Sequence, residues 1–347
     1  MSQEVISGSR RKFLFLALLL TVALAVSLLF SLSVGTSLVS PKEVLTCLIT
    51  SECGKSVKLV VDMRFVRACV AALSGAMLAL AGTLVQGLTR NPLADPYIIG
   101  VSSTSLAVVS AAVLLSPSVL VHRQVLIAVA FAGALLGYIL TTTISLLSGG
   151  SGTSLVLSGI AVSALFSGIS HVLLYLSQNE IAQLGRNYVF LLLGSTSGVL
   201  RQDITYLAIS LATSLAIIFV LGIPKALNAY LFGELYASQL GYRVRALTAT
   251  TALVSSVLTG ATVAVVGVVG FIGLAGPHIA RISAGTSDHR ATVVLSALTG
   301  SILTVLADAL TRAISAISSW GELPLGVVTG IIGAPFLAYL VVRGGRG

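Results

Sequence analysis

The chain has 347 residues, of which 56% are hydrophobic and 9% charged, with a mean hydropathy of +1.04. A soluble domain carries about 25% charged residues, and no water-soluble fold hides this much apolar surface, so lipid is the solvent for most of this chain. The net charge of +9 resides in Lys and Arg set in short polar stretches and at the ends of apolar runs, with no aromatic-interleaved basic patch, which points to membrane topology and anionic lipid rather than to nucleic acid.

Hydrophobic runs and turn residues predict ten membrane segments, near 13–34, 65–88, 97–115, 124–147, 153–177, 203–222, 244–267, 270–284, 290–314 and 323–343. The even count returns both termini to one side, taken as cytoplasmic. Ser9-Arg10-Arg11-Lys12-Phe13-Leu14 looks like a twin-arginine export signal. The apolar run that follows, Phe13 to Val34, has the length of a span and is succeeded by further spans, so the basic residues read as a positive-inside anchor.

The first loop holds Cys47 and Cys53, while Cys69 lies in the second span. There is no CxxC and no metal-ligand spacing, so no metal site and no cofactor are expected. Two free thiols are the simpler expectation for Cys47 and Cys53, with a disulfide open to them if the loop is extracytoplasmic. ITSECGKS (49–56) ends like a phosphate-binding loop. Position 49 is Ile instead of Gly and no buried strand precedes it, so it is not a nucleotide site.

The second span opens on Arg64 and Arg67 and ends in RNPLADP (90–96). Asn91 caps a turn there, Pro92 and Pro96 disfavour helix in the residues before them, and Arg90 and Asp95 are expected to keep the loop in water. Cationic residues show only a slight positive-inside bias, so either the topology is wrong or some arginines on the outer side have a task of their own. Further on, GSTSG (194–198) has Thr196 at its centre and is no nucleophile elbow.

LFGELYASQLGYRVRAL (231–247) reads as a short amphipathic segment in the largest cytoplasmic loop, with Leu231, Leu235 and Leu240 apolar and Gly241 as a helix stop. It either lies on lipid or docks a soluble partner. Gly267, Gly270, Gly273 and Gly276, followed by Pro277 and His278, weaken a helix at every third position. They serve helix packing or a broken segment on a pathway, and His278 reads as structural. Asp308 and Arg312, four apart, meet on one face of the ninth span, with Arg312 close enough to its outer end to reach water.

A full span leading to RNPLADP and a full span leading to GFIGLAGPHIAR run in opposite directions, the pattern of an inverted repeat whose interrupted segments line a pathway. The residues named for such a pathway are Asn91, Pro92, Gly270, Gly273 and Pro277.

The Arg64/Arg67 pair with Gly75 and Gly82, GTLVQGLTRNPLADPYIIGVSS, LFGELYASQLG, VGFIGLAGPHIAR, DHR (288–290), LADALTR and ELPLGVVTGIIGAPF resemble, in order and spacing, the permease subunits of ABC importers for vitamin B12, iron–siderophores and haem, the FecCD/BtuC-type family. The resemblance implies one permease domain over 1–347, an all-α polytopic membrane fold of about ten helices. Residues 1–12 would be cytoplasmic, 13–343 the helix bundle and 228–243 a cytoplasmic coupling region.

It further implies a homodimer, a cytoplasmic ATPase contacted by Gly233, Glu234, Ala237 and Gly241, and an extracytoplasmic substrate-binding protein met by Arg64, Arg67 and Arg312. The chain itself would be no enzyme. The implied cargo is a metal chelate, an iron–siderophore first and otherwise haem or cobalamin. Thr104-Ser105 after GVSS, and Val266-Gly267 before the glycine run, depart from the family pattern. An ion-gradient-driven carrier is the competing reading, and it needs an intramembrane carboxylate, for which Asp308 is the candidate.

Overall fold

The computed structural model describes residues 3–344 except 36, 51–52, 98, 151, 185–186 and 319–320. The described residues form helices and connecting turns, without a strand. In chain order they are α1 (Gln3–Ser33), α2 (Pro41–Ile49), α3 (Lys55–Thr89), α4 (Val101–Leu115), α5 (Arg123–Leu147), α6 (Gly152–Leu176), α7 (Gln178–Gln183), α8 (Tyr188–Leu193), α9 (Arg201–Val220), α10 (Ile223–Tyr230), α11 (Glu234–Gln239), α12 (Val244–Val266), α13 (Ile272–Ala284), α14 (His289–Ile317) and α15 (Leu325–Gly344). Seven of them are long and apolar enough to cross a membrane. With the shorter α4, α13 and α15 they account for the ten expected segments.

Helix α3 is the centre of the bundle. From Ser74 to Leu88 every residue is buried, so it has no polar face, as expected of a helix surrounded by others. It starts at Lys55, ten residues before the expected span. At 1.5 Å per residue its 35 residues run about 52 Å, well beyond a bilayer core of about 30 Å. The extra turns carry exposed Lys55 and Lys58 past the bundle.

Helix α14 lies along α3 at backbone contact. A methyl on Gly75 would overlap the Gly300 carbonyl, and one on Gly300 would overlap that of Gly75. Ser301 Oγ donates to the Ala72 carbonyl at 2.8 Å, and the Thr83 and Ser296 hydroxyls meet at 2.7 Å.

The rim where α1 ends also holds α2, the start of α3, α7, α8 and the loops before α9 and α15. Cys47 and Cys53 are joined there by a disulfide with a Cα–Cα distance of 5.3 Å, where free thiols had been expected. Buried Val44 and Cys47 pack α2 against Leu32 of α1 and Val61 of α3, which brings the two sulfurs together. The opposite rim gathers the start of α1, the RNPLADP loop, α10, α11 and the turn between α13 and α14.

Three local expectations change. Asp95 is buried, so of the two charged residues of that loop only Arg90 is exposed. The break in GFIGLAGPHIAR is the non-helical stretch 267–271, and Pro277 sits inside α13. Arg312 does not reach water but is 6% exposed.

Candidate functional site

Three arginines and two acids converge at the disulfide rim. Asp308, fully buried on α14, takes Arg312 on Oδ2 at 3.0 Å and Arg67 of α3 on Oδ1 at 2.9 Å, with the Thr196 hydroxyl also on Oδ1. Arg67 continues to Glu322, with Nη1 on Oε2 at 3.1 Å and Nη2 on Oε1. The i,i+4 spacing foretold one of these bonds. In the sequence Thr196 reads only as the centre of GSTSG and Glu322 only as the start of ELPLGVVTGIIGAPF, and neither is expected at Asp308, because each lies in a loop whose place in space depends on the packing of α9 and α15.

Arg64 and Arg312 finish α1. A helix leaves its last four carbonyls unpaired and its C-terminus partly negative. Arg64 Nη1 donates to Leu32 O at 2.9 Å and Ser33 O at 3.3 Å, and Arg312 Nη1 donates to Ser31 O at 2.9 Å and Val34 O at 2.8 Å. Two guanidinium groups from α3 and α14 therefore cap α1 from outside. Of the three arginines assigned to docking by resemblance, Arg64 and Arg312 are buried in this role, and Arg67 keeps a side chain 16% exposed.

The two interrupted segments meet. Pro277 has no N–H for the carbonyl of Gly273 four residues earlier. That carbonyl instead faces α3, where Gly82 gives it room and the Gln86 side-chain amide stands 3.4 Å away. The same amide nitrogen donates to Ala94 O at 3.1 Å, and the Gln86 carbonyl accepts from Arg281. Gln86, not singled out from the sequence, thus joins both breaks.

Asp95 Oδ1 accepts the Tyr97 N–H at 2.7 Å. Its Oδ2 points toward the Leu274 amide at the start of α13 without closing a hydrogen bond of normal geometry. Burial pushes this carboxyl up, to about 6, against the lowering effect of those two amides. Gly270 is half-buried against the Tyr97 ring, Gly273 is buried against α3, Pro277 is buried within α13, and Asn91 and Pro92 stay at the rim, with Asn91 Oδ1 taking the Leu93 N–H at 2.9 Å.

Around the second break the chain packs backbone on backbone. Ser195 N donates to Val266 O at 2.7 Å and Leu325 N to Gly194 O at 2.8 Å. Phe271 holds a left-handed φ of 69°, rare for an aromatic residue. Its ring fills the space left by Gly333 of α15.

At the opposite rim α10 buries Ile223, Leu227 and Ala229, and a tight turn leads into α11. Gly233 there has φ 117°, and Gly241 after α11 has φ 85°, conformations that favour glycine. Ala237 is fully buried, whereas Phe232 is 77% and Leu235 73% exposed, with Tyr236 and Leu240 beside them. Arg90 lies over the Tyr230 ring at 5.3 Å.

Seven long apolar helices and the shorter α4, α13 and α15, broken at 90–100 and 267–271, with α11 exposed at one rim, make this a polytopic membrane protein. The FecCD transport family matches residues 23–343, and the chain belongs to it. Its members are permease subunits of ABC importers, so the chain is a transport subunit and not an enzyme. The chain is 36% identical to the ferric enterobactin transport system permease protein FepD of Escherichia coli (strain K12), over 96% of this chain and 95% of that one. It is also 36% identical to the cobalamin import system permease protein BtuC of Halobacterium salinarum, over 82% of this chain and 73% of that one. A solved structure described as an inward-facing conformation of a metal-chelate type ABC transporter superposes with a TM-score of 0.74 at 27% identity, covering 95% of this chain and 99% of that one.

Proposed function

We propose that this chain is the membrane-spanning subunit of a binding-protein-dependent ABC importer. Two copies form the path between them, a separate cytoplasmic ATPase powers it, and the cargo is a metal chelate of the iron–siderophore class, with haem and cobalamin as the alternatives. The observation that carries the reading is the cluster of Phe232, Leu235, Tyr236 and Leu240, exposed on α11 and its two flanks outside the spanning segments of a FecCD-family chain. Exposed apolar residues grouped in this way mark a surface that is covered by a partner. Gly233, Glu234, Ala237 and Gly241 are proposed to shape that surface for the ATPase.

The disulfide supports the orientation. Disulfides persist in oxidising compartments, which supports the reading proposed for this chain: the Cys47–Cys53 rim outside, α11 and both termini in the cytoplasm. The binding protein then docks on the disulfide rim. Arg67 is proposed as its contact, and Arg64 and Arg312 as the residues that hold the rim in shape. Asn91, Pro92, Gly270, Gly273 and Pro277 are proposed to be the joints of the gated path.

Equal identity to enterobactin and cobalamin permeases favours neither cargo. A gradient-driven carrier would need a free intramembrane carboxylate, and Asp308 is occupied by Arg67, Arg312 and Thr196. In vesicles holding this chain, its ATPase and its binding protein, uptake of a ferric siderophore should require ATP and survive an ionophore. Uptake by this chain alone, abolished by an ionophore, overturns the importer reading.

A further inference from the structure

Asn228 of α10 is bonded to the first turn of α14 by three contacts. Its Oδ1 accepts the His289 backbone N–H at 2.9 Å, which fixes that atom as the oxygen, and it also meets His289 Nδ1 at 2.8 Å. The ring nitrogen facing an acceptor must carry the proton, so Nδ1–H is the donor. Asn228 Nδ2 donates to Asp288 Oδ1 at 2.6 Å, and Asp288 caps α14 by accepting the Arg290 N–H at 2.9 Å. His289 is buried, and its ring lies against α3 at Gly87, where an added methyl would stand 2.6 Å from Nε2 and 3.1 Å from Leu227 of α10. Asn228, His289 and Gly87 therefore place α10, α14 and α3 in one contact with no slack. The same α3–α14 pair runs in backbone contact through Gly75 and Gly300 to the Arg67–Asp308 ion pair at the other rim.

We propose that Asn228 is a positioning residue for energy coupling. With Asp288 and His289 it pins α10 to the α3–α14 pair, so that displacement of the α10–α11 element is delivered to those two helices and through them to the Arg67–Asp308 rim. This rests on the reading that α11 meets an ATPase. The turn after Tyr230 is tight, with Gly233 N on Tyr230 O and Ala237 N on Gly233 O, so α11 and α10 move together. Packed, hydrogen-bonded elements of this kind carry coupling between distant sites when they move as units.

The test uses the assembled complex of this chain, its ATPase and its binding protein. Asn228→Leu keeps the volume and removes all three contacts. The expected result is retained co-purification of the ATPase and near-normal ATP hydrolysis, with substrate transported per ATP reduced by about tenfold, within the usual range of coupling energies. An unchanged ratio overturns the proposal, as does a loss of transport and hydrolysis in equal proportion with assembly intact. If Asn228→Leu loses the ATPase, Gly87→Ala carries the same test from the far side of His289, away from the docking surface, and an unchanged ratio there overturns it.

Spin labels at the exposed Lys225 and Arg290 positions give a second readout. Their separation should stay fixed when nucleotide binds to the unsubstituted complex and should broaden in Asn228→Leu. A nucleotide-dependent separation in the unsubstituted complex overturns the pin. Failure of the underlying importer reading is a separate result, since unsubstituted vesicles would then show no ATP-dependent uptake.

Discussion

Arg67 and Asp308 stand 241 residues apart in the chain and 2.9 Å apart in the fold, and through Arg312 the same carboxylate is tied to the end of α1. One buried acid thus organises four pieces of chain: α1, α3, the 194–198 loop and α14.

Removing that acid leaves two cations, the buried Arg312 and the part-buried Arg67, facing each other. Asp308→Asn should cost about 3–5 kcal/mol, the range for breaking a buried ion pair. Glu322→Gln, whose side chain is 23% exposed, should cost no more than about 1 kcal/mol. Thermal unfolding of the detergent-solubilised protein checks the ordering, and equal effects would refute the central place given to Asp308.

Arg312→Met should destabilise more than Arg64→Met. Both expose carbonyls at the end of α1, each unpaired group costing about 1–3 kcal/mol. The first also strips Asp308 of one partner, whereas Arg64 hydrogen-bonds to Leu32, Ser33 and Ser37. Hydrogen exchange at the end of α1 should rise in both variants, and unchanged protection there would discount the cap.

Gln86 and Pro277 should be coupled. Gln86→Leu leaves the carbonyls of Ala94 and Gly273 short of a donor. In a Pro277→Ala background the new N–H can close the missing bond to Gly273, so part of the Gln86→Leu penalty should vanish. The expected interaction is about 1 kcal/mol in a double-mutant cycle of unfolding. Strict additivity would show that Pro277 does not free the Gly273 carbonyl.

Reduction should expose the orientation. Cys47 and Cys53 in intact cells should resist an impermeant maleimide, then react with it from outside after mild reduction. Opening their short loop should also lower stability by about 2 kcal/mol in the chain-entropy account. Labelling only after the membrane is permeabilised would invert the proposed topology.

The spans were legible because twenty-residue apolar runs have few other uses, and α3 and α14 were visible for that reason. Their depth of burial was not. Gly75 and Gly82 were visible as part of the family pattern, but which backbone each meets depends on residues two hundred positions away. Arg64 and Arg312 were visible as charges near span ends, and the sequence pattern suggested outward-facing hands. Their target is the backbone of α1, which has no residue-type signature. The pair Asp308–Arg312 was found by helical spacing, while Gln86, Thr196 and Asn228 are ordinary polar residues that matter only for the carbonyls and carboxylates packing brings to them.

The described part of α1 shows most of its side chains to the surroundings, and its far end is moored by two guanidinium groups. One of those groups is shared with Asp308. The tilt of a lipid-facing helix and the balance of a charge cluster deep in the protein are therefore a single degree of freedom, and neither can be adjusted without the other registering it.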